Sequence, residues 1–289
     1  LHYVKTVLGM NPIAYCYDWG MITDLARRNQ ARICGKLGIE YIVVSADIQK
    51  KRSYIRKNIL AWLKNPNLGT VPLFMAGDKQ YFYYANKLRQ QTGVPLIILC
   101  VNPLEQTHFK TGFAGVPPIE INEGNTYALS IANRTKLASY YASQFLQNPA
   151  FVNSSLWDTF TGYLSYYFIP HKYLFLYDYI RWDEQEINST LQQEYEWETA
   201  KDSASTWRIG DGTAPFYNYI YYVLAGFTEN DTFRSNQVRL GMLTREEALD
   251  RVRQENEPRY DSIQWYCNVI GIDANRVLKT IHVAQRRYE

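Results

Sequence analysis

The chain has 289 residues, of which 46% are hydrophobic and 20% are charged, a balance typical of globular proteins and unlike that of long disordered chains. The formal net charge of +3 is spread along the sequence without a long run of Lys and Arg, which argues against a dedicated nucleic-acid-binding protein. The aromatic stretch over 163–182 is interrupted by Pro170, His171, Lys172 and Asp178, so we expect no membrane span. No secretory signal is visible, and we therefore expect a cytoplasmic protein.

The N-terminal part alternates short apolar runs with helical patterns. The pattern predicts, in chain order, a helix over 1–8, a strand over 13–18, a helix over 23–37, a strand over 39–45, a helix over 55–63, a loop over 65–77, a helix over 79–91 and a strand over 94–101. Strands and helices in this order predict right-handed crossovers that build a Rossmann-like parallel sheet, an α/β fold.

Beyond a Gly- and Pro-containing loop the pattern becomes mainly helical. It predicts helices over 127–146 and 214–226, a strand over 173–180, a helix that begins within 181–186, a helix opened by the capping box Thr244 to Glu247, and a last helix after Asp273. We place a domain boundary near Gly124, with a nucleotide-binding domain over 1–124 and a helical, Tyr-rich domain over 125–289. The 25 tyrosines suit a polar-ligand cleft or the contact surface of a homo-oligomer, although ordinary core packing is the expected use of most of them.

Polar residues follow each predicted strand. Asp18 ends the first strand, residues 45–47 end the second and Asn102 follows the third. Because crossovers bring the carboxyl ends of parallel strands to one edge, where ligands of such folds bind, we expect these residues to converge on a crevice. Capping of the following turn is the plain alternative for Asp18.

Other local patterns carry weaker signals. Lys79 follows Gly77 and Asp78 at a helix entry, where backbone N–H groups and a cation favour phosphate, although an exposed lysine is as good an interpretation. His108 could reach the crevice or simply be solvated. The G-x-G within Arg208-Ile-Gly-Asp-Gly-Thr lacks a preceding strand and a third glycine, so we predict a polar turn there. No histidine or cysteine cluster with metal-ligand spacing is present in the sequence.

Four segments carry a resemblance that extends over nearly the whole chain. They are Tyr-Asp-Trp-Gly at 17–20, Asn-Pro at 102–103, Tyr-Ile-Arg-Trp-Asp-Glu-Gln-Glu at 179–186 and Asn-Gln-Val-Arg-Leu-Gly-Met-Leu-Thr-Arg-Glu-Glu-Ala at 236–248. With them the sequence resembles the N-acetyl sugar amidotransferases of bacterial surface-polysaccharide biosynthesis, a branch of the PP-loop ATP pyrophosphatases. The last two segments are the more specific, since several unusual residues recur in order.

The resemblance implies an activity and a set of site residues. ATP, with Mg, would adenylate an oxygen of a nucleotide-linked sugar, and ammonia from a separate glutaminase partner would displace AMP. The implied cofactor-binding residues are Tyr17, Asp18, Trp19, Gly20, Gly77 and Asn102, and the implied catalytic residues are Lys79, Asn102 and Asp183. The implied substrate-binding residues are Glu105, His108, Arg181, Trp182, Arg234 and Arg239. Arginines suit phosphate oxygens, carboxylates suit Mg or ammonium, and an indole suits stacking.

Two departures from the family pattern keep alternatives open. The Ser-Gly-Gly-x-Asp-Ser loop that wraps pyrophosphate, together with the first strand, would lie before Leu1 and is not in this sequence. A cysteine pair found in many relatives before Gly77 is replaced here by Val71-Pro-Leu-Phe-Met-Ala. The alternatives are a catalytically inactive nucleotide-fold scaffold and a tRNA-thiolating pyrophosphatase; the second is disfavoured by the lack of paired cysteines and of a basic stripe.

Overall fold

A computed structural model describes residues 1–105, 107, 109–116, 129–169, 173–203, 205–206 and 208–287, and in these ranges the fold is mainly helical with short parallel strands. The strands are β1 (Ala14–Asp18), β2 (Tyr41–Ser45), β3 (Ile98–Leu99) and β4 (Leu174–Phe175). The α-helices are α1 (Asp24–Leu37), α2 (Ile48–Trp62), α3 (Tyr81–Thr92), α4 (Phe109–Gly112), α5 (Ile131–Gln147), α6 (Leu156–Tyr167), α7 (Glu184–Tyr195), α8 (Ala214–Ala225), α9 (Glu229–Arg239), α10 (Arg245–Glu255), α11 (Tyr260–Ile270) and α12 (Ala274–Val283). Tighter 3₁₀ segments run over Leu68–Gln80, Pro149–Phe151 and Leu176–Asp178, and a π-helix over Tyr3–Val7.

The described strands form two separate parallel pairs. β1 pairs with β2, with Ala14 opposite Tyr41, and β3 pairs with β4, with Ile98 opposite Leu174. The prediction of a mixed α/β chain is therefore confirmed, whereas the described residues do not form one Rossmann-like sheet. β3 is much shorter than the strand predicted over 94–101, in part because Pro95 has no N–H to donate to a ladder.

The first two long helices illustrate how local signals set their ends. Thr23 caps α1 by accepting a hydrogen bond from the Ala26 N–H at 3.2 Å, and Gly38 ends it in the left-handed region at φ +61°. Helix α2 begins well before the predicted 55–63 because the Asp47 carboxylate accepts from the Lys50 N–H at 3.0 Å. The capping box Thr244 to Glu247 is confirmed at the start of α10.

Two predicted segments differ from the structure because tertiary packing overrides the local pattern. The predicted loop over 65–77 is largely the 3₁₀ segment Leu68–Gln80, whose Val71 and Phe74 are buried in the main core. The predicted strand over 173–180 is limited to β4 and is followed by a 3₁₀ turn. The predicted domain boundary near Gly124 lies outside the described residues.

The main hydrophobic core is built around α8. This helix is buried on nearly all sides, as expected for a helix whose apolar residues run all round its surface. The core joins segments from both sides of the predicted boundary, with Ile55 and Phe74 on one side and Phe216, Ile220 and Tyr266 on the other. Within the described ranges, no helix is long and apolar enough to cross a bilayer.

Candidate functional site

A cavity of about 660 Å³ lies between the 3₁₀ segment 68–80, the chain after β3, and helices α4, α5, α6 and α8. This volume is in the range of small-molecule sites. The polar and charged side chains among its described lining residues are Asp78, Lys79, Asn102, Glu105, Thr107, Lys110, Thr111, Thr159, Asp178, Arg208 and Asp211. Its aromatic wall includes Tyr141, Phe145, Phe160, Tyr163, Tyr166, Tyr167, Phe175, Tyr177 and Tyr217. Charged groups and tyrosines thus share one concave surface.

Lys79, Asn102 and Glu105, all predicted as site residues, lie together in this cavity. Lys79 Nζ is 3.4 Å from an oxygen of Asp78 and 4.8 Å from the centre of the Tyr166 ring, so the ammonium is held between an acid and an aromatic face. Glu105 contacts Arg208 at 3.2 Å. The chain therefore brings together a lysine, an amide and a carboxylate.

Asn102 lines the cavity and has a buried amide group. Its side-chain oxygen accepts the Leu104 N–H at 3.0 Å, which fixes the direction of the amide. The Nδ2 group is buried and has no hydrogen-bond partner within the described part of the chain. A buried donor without a partner is costly, and a ligand acceptor would relieve that cost.

A charged cluster that was not predicted adjoins the cavity: Lys110, Arg208 and Tyr217 line it, and all three contact Glu229, which is not among its described lining residues. Glu229, at the start of α9, is fully buried and forms an ion pair with Lys110 and a second one with Arg208 at 3.1 Å. The Tyr217 hydroxyl donates to the same carboxylate at 2.8 Å and also contacts Arg208. Lys110 Nζ lies 4.3 Å from the centre of the Tyr217 ring. Glu229 thus fixes two cations and a phenol that face the cavity.

Burial and charge pairing change the protonation of these groups. Burial alone would raise the pKa of Glu229, but Arg208 and Lys110 outweigh it and lower the pKa to about 2. Burial lowers the pKa of Lys110, although Glu229 opposes that effect. Burial raises the pKa of Asp78, while Lys79 acts in the opposite direction. Asp78 and Lys110 therefore both lose their charge more readily in the cavity than they would in water.

The residues predicted to face adenosine lie elsewhere. Asp18 is fully buried, with Arg27 at 2.6 Å and the Gly20 N–H donating to its other oxygen at 2.9 Å. Tyr17 stacks on Tyr84 at 5.1 Å, and Trp19 packs in the main core. None of the residues 17–20 appears among the described lining of the cavity. The strand ends at Asp18 and Asn102 thus do not converge on this cavity.

Gly77 lies beside a buried ion pair. A Cβ at this position would lie 3.1 Å from an Asp158 oxygen and 3.3 Å from the Lys51 side chain. Lys51 Nζ and Asp158 are 2.5 Å apart, and Gln80 contacts both side chains. The glycine therefore leaves room for this ion pair next to the cavity.

Two residues predicted for the site in the C-terminal part, Arg234 and Asp183, form an ion-pair cluster and a helix cap within the protein. Arg234 is buried between Glu184, at 2.5 Å, and Glu255, so it joins α7, α9 and α10. Asp183, predicted as catalytic, caps α7 through the Gln185 N–H at 2.9 Å. Neither side chain is among the described lining residues of the cavity.

The remaining members of this predicted set lie on or near the surface. Trp182 packs edge-to-face on Phe233, with ring centres 5.6 Å apart, Arg239 contacts Asn236 at 2.7 Å, and Arg181 is exposed. His108 lies outside the described residues. No group of three or more His, Cys, Asp and Glu suited to a metal ion occurs in the described ranges.

Arg208 lines the cavity and was not predicted as a site residue. It belongs to the Arg-Ile-Gly-Asp-Gly-Thr segment, which does form a turn, bridged to Ile22 through Asp211. Arg208 itself has φ +53°, which is uncommon for a residue with a side chain and often marks functional sites. Arg208 and Asp211, rather than the glycines of this turn, line the cavity.

The comparison of this chain with protein-family models finds no match, and the comparison with curated proteins finds none either.

Proposed function

We propose that this chain belongs to an ATP-dependent amidotransferase that adenylates an oxygen of a nucleotide-linked N-acetyl sugar and replaces it with ammonia. The observation that carries the proposal is that Lys79, Asn102 and Glu105, which the family resemblance assigns to reaction and substrate binding, line one cavity. Two of them follow β3, where open α/β folds bind ligands.

The proposed chemistry has two balanced steps. The sugar oxygen attacks the α-phosphorus of ATP, and pyrophosphate leaves. Ammonia then forms a C–N bond to the sugar carbon, while the C–O bond breaks and AMP departs with the oxygen. Lys79 would stabilise negative charge on the departing AMP, and Asn102 would hold the reacting end of the sugar. Mg would enter with the phosphates of ATP.

The proposal includes further expectations for the cellular setting. A glutaminase subunit supplies ammonia, the protein acts in the cytoplasm in surface-polysaccharide biosynthesis, and copies of the chain can associate. The Tyr-rich composition supports the last of these.

Exchange of labelled pyrophosphate into ATP tests the adenylation step. The full-length gene product is assayed with a panel of nucleotide sugars, and we expect exchange that depends on one of them. Lys79→Ala should lower the exchange rate at least 100-fold, because a single electrostatic contact to the transition state contributes about that much. Lys87→Ala, an exposed lysine of α3, is the matched control and should leave the rate unchanged.

Full-length protein that binds nucleotide sugars but exchanges no pyrophosphate would contradict the enzyme proposal and favour the inactive scaffold.

A further inference from the structure

Helix α6 turns its large apolar side chains outward. The exposed positions of the helix and of the residue that follows it are Leu156, Trp157, Phe160, Leu164 and Phe168. The buried positions of the helix are the small residues Gly162 and Ser165. A surface helix of a globular protein normally shows the reverse distribution, with its apolar stripe facing the core. We call the five exposed residues the α6 stripe.

The α6 stripe is a continuous band that extends beyond the cavity. From Trp157 to Phe168 its members recur every three or four residues, so they lie on one side of the helix. The rings of Trp157 and Phe160 are 5.7 Å apart. Leu156 and Phe160 also line the cavity. Trp157, which is 72% exposed, Leu164 and Phe168 are not among its described lining residues, so a ligand in the cavity would leave them open to solvent.

Cations lie at both ends of the α6 stripe. Just before the helix begins, Lys57 Nζ of α2 is 2.5 Å from the hydroxyl oxygen of Ser154. Near the end of the stripe, the guanidinium carbon of Arg134, in α5, is 5.1 Å from the centre of the Phe168 ring. The apolar band is thus bordered by positive charge from two neighbouring helices.

Helix α2 continues this positive charge along the surface. Lys50 and Lys64 are each seven residues from Lys57, which is close to two helical turns, so the three side chains share one side of α2 and of the turn after it. We call them the α2 lysines. All three are exposed, and none forms an ion pair with a carboxylate in the described part of the chain. They are therefore available to an anionic partner.

The segments around the α6 stripe carry an unbalanced positive charge. Residues 48–77 and 129–169, which include α2, α5 and α6, contain eight Lys and Arg residues and one acid, whereas the whole chain has a net charge of only +3. The one acid is Asp158, and its carboxylate is paired with Lys51 in the interior. Apolar side chains and uncompensated cations thus occur together on this part of the surface.

A bilayer that contains anionic lipids fits both properties of this surface. The boundary of its acyl chains accepts exposed Trp, Phe and Leu side chains, and its phosphate groups attract lysines. A second copy of the chain is disfavoured, because a symmetric contact would place two sets of unpaired lysines against each other. Nucleic acid would engage the lysines, but its bases stack on aromatic rings and leave the exposed aliphatic residues Leu156 and Leu164 without a role.

We propose that the α6 stripe and the α2 lysines together form a binding surface for anionic phospholipid bilayers. Trp157 and Phe168 insert at the boundary between headgroups and acyl chains, while the lysines stay at the level of the phosphates. The protein binds one leaflet from outside, and its cavity lies beside the bilayer because Leu156 and Phe160 belong to both surfaces. Membrane binding of this kind does not depend on the proposed enzymatic activity.

Co-sedimentation with lipid vesicles tests the surface. The protein is mixed with vesicles of phosphatidylcholine alone and with vesicles in which about one third of the lipid is phosphatidylglycerol. We expect binding to the anionic vesicles at physiological salt and much weaker binding to phosphatidylcholine. Binding to the anionic vesicles should weaken in about 1 M NaCl, where the Debye length falls to about 3 Å.

Substitutions separate the apolar and the charged contributions. Trp157→Ala should weaken binding to the anionic vesicles about tenfold, since it removes most of a large apolar side chain from the interface. Lys50→Gln, Lys57→Gln and Lys64→Gln should each weaken it about fivefold, the ratio that corresponds to about 1 kcal/mol per cation near an anionic surface.

Matched variants keep the test decisive. Leu164→Ala is a second variant of the α6 stripe and should also weaken binding to the anionic vesicles. Leu249→Ala in α10 and Lys279→Gln in α12 change exposed residues of the same two types and should bind as the unmodified protein does. The proposal is wrong if the protein does not bind anionic vesicles, or if Trp157→Ala and Leu164→Ala bind them as tightly as the unmodified protein.

Two measurements without lipid distinguish the other occupants. A dimer in sedimentation velocity that Trp157→Ala dissociates would assign the α6 stripe to a second copy of the chain. Binding of single-stranded RNA in place of vesicles, lost in Lys57→Gln but kept in Trp157→Ala, would assign the α2 lysines to nucleic acid. Either result would overturn the assignment to a bilayer.

Discussion

Glu229 is a carboxylate without solvent access that stays ionised because Lys110 and Arg208 contact it. Removing one partner of a buried ion pair leaves the others uncompensated, which typically costs about 3–5 kcal/mol. We therefore expect Glu229→Gln to lower the free energy of unfolding by about this amount at pH 7. Urea denaturation measures it, with the exposed Glu40→Gln as a control that should stay within about 0.5 kcal/mol of the unmodified protein.

The same residue predicts a dependence of stability on pH. The pKa of Glu229 is lowered to about 2 in the folded protein from an ordinary value of 4.5. A lowered pKa stabilises the fold above the unfolded value, and that contribution is lost as the pH falls from about 5 toward 2. The free energy of unfolding of the unmodified protein should therefore fall more over this pH range than that of Glu229→Gln. Parallel losses in the two proteins would contradict this role of Glu229.

Asp18 was predicted to face adenosine, and its contacts in the structure are internal. It pairs with Arg27 and accepts the Gly20 N–H. We expect Asp18→Asn to lower the free energy of unfolding by about 1–3 kcal/mol, because a buried charge-assisted contact is weakened. The exposed Asp24→Asn should change it by less than about 0.5 kcal/mol. A loss of ATP affinity in Asp18→Asn without loss of stability would instead favour the nucleotide-binding role.

At the scale of elements, the chain between Arg208 and α8 is held close to α11. A Cβ added to Gly212 would lie 2.2 Å from a ring carbon of Trp265 and 2.7 Å from the Met21 carbonyl oxygen. Gly212→Ala should therefore destabilise the protein by about 1–3 kcal/mol through overpacking. Gly35, within α1, has open space around it, and Gly35→Ala should stabilise by about 0.5–1 kcal/mol. Chemical denaturation of Gly212→Ala and Gly35→Ala measures the two changes in the free energy of unfolding. Equal changes in the two variants would contradict the role of close packing at Gly212.

The helix ends explain which elements could be predicted and which could not. Thr23 and Thr244 are short polar residues that accept backbone N–H groups within their own turn, and the helices that they open were predicted from this local pattern. Asp47 caps α2 in the same way, but the start of that helix was predicted only at 55. The 3₁₀ segment at 68–80 also has a capping residue, since Asn67 accepts the Gly69 N–H at 2.8 Å, but its form depends on burying Val71 and Phe74 in the main core. β3 and β4 are 2 residues each, too short for a periodic pattern.

At the scale of the molecule, one core contains residues from both predicted domains. Ile59 and Phe74 of the N-terminal part pack in the same cluster as Ile220 and Ile281. We expect a single cooperative unfolding transition in calorimetry, with equal calorimetric and van't Hoff enthalpies, because neither part can lose its share of this core alone. Two resolved transitions would favour independent domains over 1–124 and 125–289.

By itself, the sequence determined the mixed α/β class and most helix positions, since periodicity and caps are local properties. Of the residues that line the cavity, Lys79 was predicted from a helix entry, Asn102 from a strand end and Glu105 from the family resemblance alone. Only the tertiary structure decided that Asp18 and Arg234 are buried in ion pairs, because burial depends on what distant elements place beside a side chain. It also decided that Lys110 and Arg208, which line the cavity, meet at Glu229 from separate segments. Contacts between such segments leave no periodic pattern in the chain, so sequence reasoning could not find them.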